Sequence, residues 1–439
     1  MKRFTTLFTL LISSLLLIGC GGGSSNNSHD PQLRAVHLSP DAPAVDVSIE
    51  GDVALENVNY RQASGFLFVD EGNNNVKILV ADTSTAVIDE TLNLQEDMKY
   101  TVLAVNTVAN IEPIVIADDI DQPTNGFAAI TVVHGAPSAP PVDVYVSAPE
   151  DDFSSLTPTL EDVPFKANSG ELEVPAGDYR VRVTLADDNA VIYDSGTLSL
   201  ESGVEYVAIA AESSGGLSPI GLTILTDQDA TPFVNVDDAR ARLRVVHASA
   251  DAPEVDISVD GSEVLSDVPF GTGSDYLEII GDTYNIDVAA AANSASVINA
   301  DLQFDPQMDY TIAAVNSLNN IEPIVLTDDN YPPAAGNVKV RLIHAAPSAG
   351  LVDIYITAPG ADINSMSPTI SNFEFKDNSD YLEVPAGDYQ VRITLSTTKT
   401  VAIDTGTLSL SDGQIRTAFA VDPVPGSTDF GVILLADLN

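Results

Sequence analysis

The sequence predicts an all-β chain of four tandem antiparallel β-sandwich modules of immunoglobulin-like type, in A-B-A-B order. Three observations predict it. A segment carrying a histidine, with an aspartate nine residues later, occurs four times, and the histidines lie 97, 113 and 97 residues apart. A period of this size marks repeated domains. Apolar and polar residues alternate with period two, as in Val45, Val47 and Ile49 against Asp46, Ser48 and Glu50, which is the pattern of a half-buried strand. No convincing helical periodicity occurs after the first nineteen residues.

The N-terminus comes first in order. Lys2 and Arg3 precede an apolar run from Phe4 to Ile18, too short to span a bilayer comfortably and of signal-peptide proportions. The run ends in Leu17-Ile18-Gly19-Cys20. This resembles the bacterial lipobox, whose cysteine receives a diacylglyceryl group and becomes the new N-terminus. Residues 1–19 are therefore expected to be a signal peptide and Cys20 the lipidation site. Position 21 is Gly rather than Asp, which by the same resemblance implies the outer membrane of a Gram-negative bacterium, with the periplasmic or surface face left open. Cys20 is the sole cysteine, so its lipidation leaves no disulfide, thiol nucleophile or cysteine metal site. Residues 20–32 are expected to form a flexible lipidated tether, with Gly21 to Gln32 reaching on the order of 20 Å. His29 within it is expected to be solvated.

The modules follow: A1 over 33–122, B1 over 127–229, A2 over 240–330 and B2 over 337–439. Tyr100-Thr-Val-Leu-Ala-Val-Asn106 and Tyr310-Thr-Ile-Ala-Ala-Val-Asn316 pair the A modules at a separation of 210. Glu173-Val-Pro-Ala-Gly-Asp-Tyr179 and Glu383-Val-Pro-Ala-Gly-Asp-Tyr389 pair the B modules at the same separation. B modules carry a longer segment after the second strand, Ala148 to Phe165 and Ala358 to Phe375. Linkers are expected at Asp121 to Phe127, Asp227 to Ala239 and Asn330 to Asn337. The middle one is the longest, so each A-B pair is expected to be the tighter unit and the centre the more mobile joint.

These residues resemble a family of bacterial extracellular modules, the domain of unknown function 4397. The resemblance is carried by Arg244-Val-Val-His-Ala-Ser249 and by the Pro-x-Val-Asp leading into the second strand. It is carried further by Tyr355-Ile-Thr-Ala-Pro359 with Ser367-Pro-Thr369, by Val384-Pro-Ala-Gly-Asp-Tyr389-x-Val-Arg-Ile and by Asp404-x-Gly-x-Leu-x-Leu. The B modules match these motifs best, and the A modules lack the Ala-Pro insertion and the Val-Pro-Ala-Gly turn. The resemblance implies a β-sandwich in a surface or envelope protein and supplies no catalytic residues.

The repeated signature consists of His37 and Asp46, His134 and Asp143, His247 and Asp256, and His344 and Asp353. In the first strand of A2, Leu243, Val245 and His247 share one face and Arg242, Arg244 and Val246 the other. The imidazole is thus expected at the inward end of an apolar stripe, as a structural corner residue with hydrogen-bond partners in the following turn. The aspartates are expected on the outer face, paired across strands with Arg34, Arg244 and Arg341; Thr131 fills that slot in B1.

Charge bounds the partners. With 64 acidic and 18 basic residues the net charge is −46, which excludes nucleic acid, since phosphate binding needs a basic face. Contact with anionic lipid through the protein surface is excluded by the same sign. Carboxylates cluster at joints: Asp118, Asp119 and Asp121 close A1, and Asp328 and Asp329 close A2. Calcium takes six to eight oxygen ligands, so these are calcium candidates, without EF-hand spacing; no other cofactor is expected. Catalytic motifs such as Gly-x-Ser-x-Gly or His-Glu-x-x-His are missing, and the chain is not expected to be an enzyme. The expected function is an envelope lipoprotein for binding, adhesion or structure, with a protein or glycan ligand. The alternatives are a hydrolytic enzyme or its accessory subunit, and a calcium-stiffened spacer. A deep polar pocket in one module would favour the enzyme, and four shallow modules would favour binding by repetition.

Overall fold

A computed structural model of the chain describes residues 29–228, 230–396 and 398–438. Residues 1–19, Cys20 and most of the expected tether, with Asp229, lie outside the described residues.

A2 shows the plan of every module. Its first strand, Arg240–His247, lies between the fourth, Leu277–Ile280, and the seventh, Asp309–Val315, and the seventh pairs with the eighth, Glu322–Asp328. The second sheet places Val255–Val259 between Ser262–Val268 and Thr283–Ala290, with Ala295–Gln303 beyond. The strand orders are thus 4-1-7-8 and 3-2-5-6, and the other three modules repeat them. A1 splits its fourth strand into Gln62–Ala63 and Leu67–Phe68.

Pairing is antiparallel with one recurrent exception. First and seventh strands run parallel in B1, A2 and B2. Parallel neighbours need a crossover, and here the strands of the other sheet supply it. The long segments peculiar to the B modules each hold a 3-10 turn, Phe153–Ser155 or Ile363–Ser365, ahead of a short third strand, Leu160–Val163 or Ile370–Phe373.

Each interior is built from the apolar stripes that alternation predicts. In A2, Leu243, Val245, Ile257, Val288 and Ile312 are sealed between the sheets. The outer face of the same strand is sealed too, since Arg244 and Val246 are buried. The cause is B2. Val246, Ala313 and Val315 of A2 pack on Ile343, Phe419 and Ile433 of B2 as an intermodule core. Gly273 permits the close approach, because a β-carbon there would lie 2.9 Å from Leu435 Cδ2.

The chain divides into two compact units, one holding A1 through Ala104 and then Val108–Asp121, the other holding Val105–Thr107 and, from Gln122 onward, B1, A2 and B2. This corrects the expected mobile centre. Phe233–Val236, inside the middle linker, is a strand that extends the B1 sheet beside Ile220–Thr226. The Ala239 N–H donates to the Asp194 carbonyl, and the Tyr193 hydroxyl donates to the Val236 carbonyl. Apolar residues at 233, 234 and 236 give the linker strand character that its length concealed.

His29 is solvent-exposed, as expected, but it has a partner. It lies 2.6 Å from Asp97 through Nδ1, and that hydrogen bond, with the carboxylate's charge, raises its pKa above the usual value.

Candidate functional site

The repeated histidine is a corner bracket. Nε2 of His37, His134, His247 and His344 meets the carbonyl six residues on, at 3.0, 3.2, 2.9 and 2.8 Å. Nδ1 accepts the backbone N–H two residues on, from Ser39, Ala136, Ser249 and Ala346. A ring with one donating and one accepting nitrogen is neutral. Burial lowers the pKa of all four. With both nitrogens engaged, none is free to ligate a metal. An aromatic ring meets each imidazole edge to face, namely Tyr60, Phe165, Phe270 and Phe375. Sequence reasoning missed these partners, although each sits 23 or 31 residues after its histidine.

The repeated aspartate does not pair with arginine, which corrects the expected cross-strand ion pairs. Asp46, Asp143, Asp256 and Asp353 accept the backbone N–H of Asn57, Asp162, Asp267 and Asn372, at 2.8, 2.8, 2.9 and 2.9 Å. Each donor residue is left-handed, with φ of 56, 50, 52 and 53°. The carboxylate therefore holds the bulge in the third strand, where ladder pairing is interrupted. A strand-face argument cannot foresee this, because it does not place bulges.

The arginines instead lock A2 to B2 in a near-symmetric exchange. Arg244 of A2 bonds Asp437 of B2, and Arg341 of B2 bonds Asp328 of A2 at 2.6 Å. Asp328 also accepts from Tyr276 and Thr311, and Asp437 from Tyr381 and Thr417. The rings of Tyr276 and Tyr381 lie under the two guanidiniums at 4.9 and 4.6 Å. Burial, then the Asp328 charge, pushes the Tyr276 hydroxyl far up.

In this arrangement several of the calcium candidates have other partners. Asp328 is spent on Arg341, and Asp329 meets Lys339 at 2.6 Å. In A1, Asp119 accepts the Asp121 N–H at 3.0 Å. Asp118 is half-buried under the field of Arg34 and Lys99, and burial raises its pKa. Among the described residues no three His, Cys, Asp or Glu side chains gather as a metal site.

A cleft at the joint of B1 and A2 collects three arginines. Arg180 pairs with Asp194 at 2.6 Å. Arg240 pairs with Asp238 at 2.7 Å and donates to the carbonyls of Val191 and Ile192. Arg182 lies buried beside them, its guanidinium 5.5 Å from the Phe153 ring centroid.

B2 holds a largely apolar cavity. It occupies about 400 Å³ between the two sheets and is lined by side chains such as Leu342, Ile354, Val391, Ile403 and Leu434. Its polar rim is Asp404, Thr405 and Arg416. The corresponding space in B1 is about 30 Å³. This meets neither of the two expected patterns: the pocket is confined to one module, but it is apolar. Along the same edge, the sixth and eighth strands close together in A1, A2 and B1. In B2, Val401–Leu410 and Gly431–Ala436 fall short of that approach, and Val432 and Leu434 are 39% and 49% exposed.

The family model of the domain of unknown function DUF4397 matches residues 31–145, 241–355 and 357–439. The chain belongs to the DUF4397 family. The DUF4397 matches take in A1 whole and A2 from Ala241, and leave 146–240, most of B1, outside, although the B modules carry the motifs of the resemblance best. Two matches run on into the first two strands of the following B module, so their bounds are not those of the sandwiches. Comparison with curated proteins gives no match. Among solved structures, the chain is similar to the Bacillus anthracis TIE protein, at 12% identity over 89% of this chain and 68% of that one, with a TM-score of 0.16. It is similar to family 41 carbohydrate-binding modules from streptococcal virulence factors, at 12% identity over 43% and 96%, with a TM-score of 0.18. It is also similar to the fimbrial anchor protein Mfa2 from Porphyromonas gingivalis, at 12% identity over 46% and 95%, with a TM-score of 0.18.

Proposed function

We propose that the protein is a non-catalytic binding protein of the outer membrane, anchored through lipid on Cys20, whose B2 module receives an apolar ligand. The carrying observation is the B2 cavity of about 400 Å³. Apolar side chains around an unfilled space lose packing contacts that a ligand would restore. A sandwich that keeps such a space is suited to filling it. Ligand sites are mostly apolar with a few polar groups at fixed points, which describes this lining and its rim. An apolar protein segment suits it better than a glycan, whose hydroxyls would meet few partners there.

Binding is favoured over catalysis because His344 and Asp404, the groups at the cavity suited to proton transfer, are engaged. Both nitrogens of His344 are bonded, and Asp404 accepts from Gln390 and the Gly406 N–H.

The test uses full-length protein carrying Cys20→Ser, so that it is purified without lipid. An environment-sensitive apolar fluorophore should bind saturably, one per chain. Ala418→Leu, which fills the lining, should abolish uptake while the melting temperature holds or rises. Uptake that does not saturate, or that survives Ala418→Leu, would overturn the reading.

A further inference from the structure

We propose that the open edge of B2 binds an extended peptide strand of another polypeptide, antiparallel to Gly431–Ala436, with an apolar side chain plugging the cavity. The inference rests on the binding reading above and names its ligand class.

The chain already performs this operation once on itself. B1 and B2 correspond residue by residue at a separation of 210, so Ile220–Thr226 of B1 matches 430–436 of B2. On the B1 edge lies the linker strand Phe233–Val236, in the register Leu222 to Val236, Thr223 to Asn235, Ile224 to Val234 and Leu225 to Phe233. Val236 packs into the B1 core, and its carbonyl accepts from Tyr193. Asp194 is held on both sides by the same segment, through the Asp238 carboxylate and the Ala239 N–H. Their counterparts Ile403, Asp404, Val432 and Leu434 all line the B2 cavity. Thus the surface that receives a strand in B1 is present in B2, and its void lies where the plug would go.

Geometry supplies the backbone groups. In B1 the Thr226 N–H donates outward to the Pro232 carbonyl. By strand alternation, Ala436, Leu434 and Val432 turn their N–H groups to the open edge of B2. Strand addition to such an edge takes affinity from main-chain hydrogen bonds and specificity from pockets for alternate side chains.

Charge adds a preference. Arg416, on the cavity rim, bonds only the Ile415 carbonyl and meets no carboxylate among the described residues. Its counterpart in B1 is the neutral Tyr206. Arg416 pairs with Ala436 in the ladder, and the residue opposite Ala436 on an added strand occupies the place of Pro232. An acidic side chain there would reach the guanidinium. The ligand is therefore an apolar strand with a carboxylate at the position equivalent to Pro232.

The probe is the chain's own strand as a labelled peptide, Thr-Pro-Phe-Val-Asn-Val-Asp-Asp, and a second peptide with Glu in place of Pro. Fluorescence anisotropy is read against the full-length Cys20→Ser protein. Both peptides should bind at one site per chain, the Glu peptide at least threefold tighter, and Arg416→Gln should erase that gain. Leu434→Pro removes an outward N–H while sparing the ladder to the seventh strand, and should weaken binding at least tenfold. Peptide N-methylated at its pairing amides should fail against unaltered protein, which keeps the test valid if Leu434→Pro does not fold. Binding indifferent to N-methylation would overturn the proposal. If the fluorophore or a medium-chain fatty acid fills the cavity and no peptide binds, strand addition falls and the binding reading stands. If nothing enters the cavity, both fall.

Discussion

Arg341 of B2 and Asp328 of A2 face each other at 2.6 Å, and both side chains are sealed from solvent. Breaking such a pair from one side leaves a buried charge without a partner, at about 3–5 kcal/mol. Asp328→Ala should therefore destabilise the A2-B2 pair by about that amount in urea titrations. Removing both partners, in Asp328→Ala with Arg341→Met, should cost clearly less than the sum of the single changes. Additive losses would mean that the two groups act independently.

The buried histidines predict a pH dependence. Burial holds His247 below its ordinary 6.5, so the unfolded chain takes up the proton before the folded one. Stability is then complete above 6.5 and is lost as pH falls below it. Urea midpoints should drop between pH 7.5 and 5.5, above the main carboxylate range. His247→Ala should cost about 1–3 kcal/mol at pH 7.5, through the unpaired Pro253 carbonyl and Ser249 N–H, and should flatten part of the slope. A slope unchanged by this substitution would remove His247 as its source.

How far the sequence reads depends on the range of the interaction. Val45, Val47 and Ile49 alternate because one sheet face meets a core, and this local rule located the modules. His247 sits at the end of such a stripe, and its bracket closes within six residues, so its role was legible too. Alternation puts Arg244 on the outer face, where it lies, but its partner Asp437 is 193 residues away in another module. Alternation says which way a side chain points and not what covers that face. The acidic joints are opaque for the same reason, since Asp328 reads as one carboxylate among many until Arg341 is seen beside it. The B2 cavity has no local signature. It becomes visible only when two copies of one edge are compared, one covered and one open.

Asp256 braces the left-handed Asp267, which has φ 52°. Asp256→Ala should lose roughly 1–3 kcal/mol by leaving that N–H unpaired. Asp267→Gly should be neutral or stabilising, because glycine adopts positive φ without steric cost. Asp267→Val should be strongly destabilising in the same melts. A harmless Asp267→Val would show that the bulge relaxes to ordinary strand geometry.

Lipidation is checked by fractionation. Cys20→Ser should leave the membrane fraction or remain unprocessed, because no other cysteine exists to take the lipid. A variant that fractionates and migrates as the unaltered protein does would break the anchoring proposal.

The joint between B1 and A2 yields a final prediction. Arg240 is buried and donates to Val191 and Ile192 of B1 while pairing with Asp238 of the linker and Glu278 of A2. One side chain therefore ties three segments. Asp238 is itself buried, so Arg240→Ala strands its carboxylate as well as freeing the two carbonyls. The loss should be about 3–5 kcal/mol, felt mainly as uncoupling, since B1 and A2 keep their separate cores. Modules with their own cores unfold independently once the interface between them fails. Calorimetry of the Arg240→Ala protein should accordingly show the B1 transition separating from that of A2-B2. Small-angle scattering should show a broader distribution of dimensions at the temperature where both modules remain folded. A single unbroken transition at an unchanged midpoint would mean that the strand Phe233–Val236 holds the joint without Arg240.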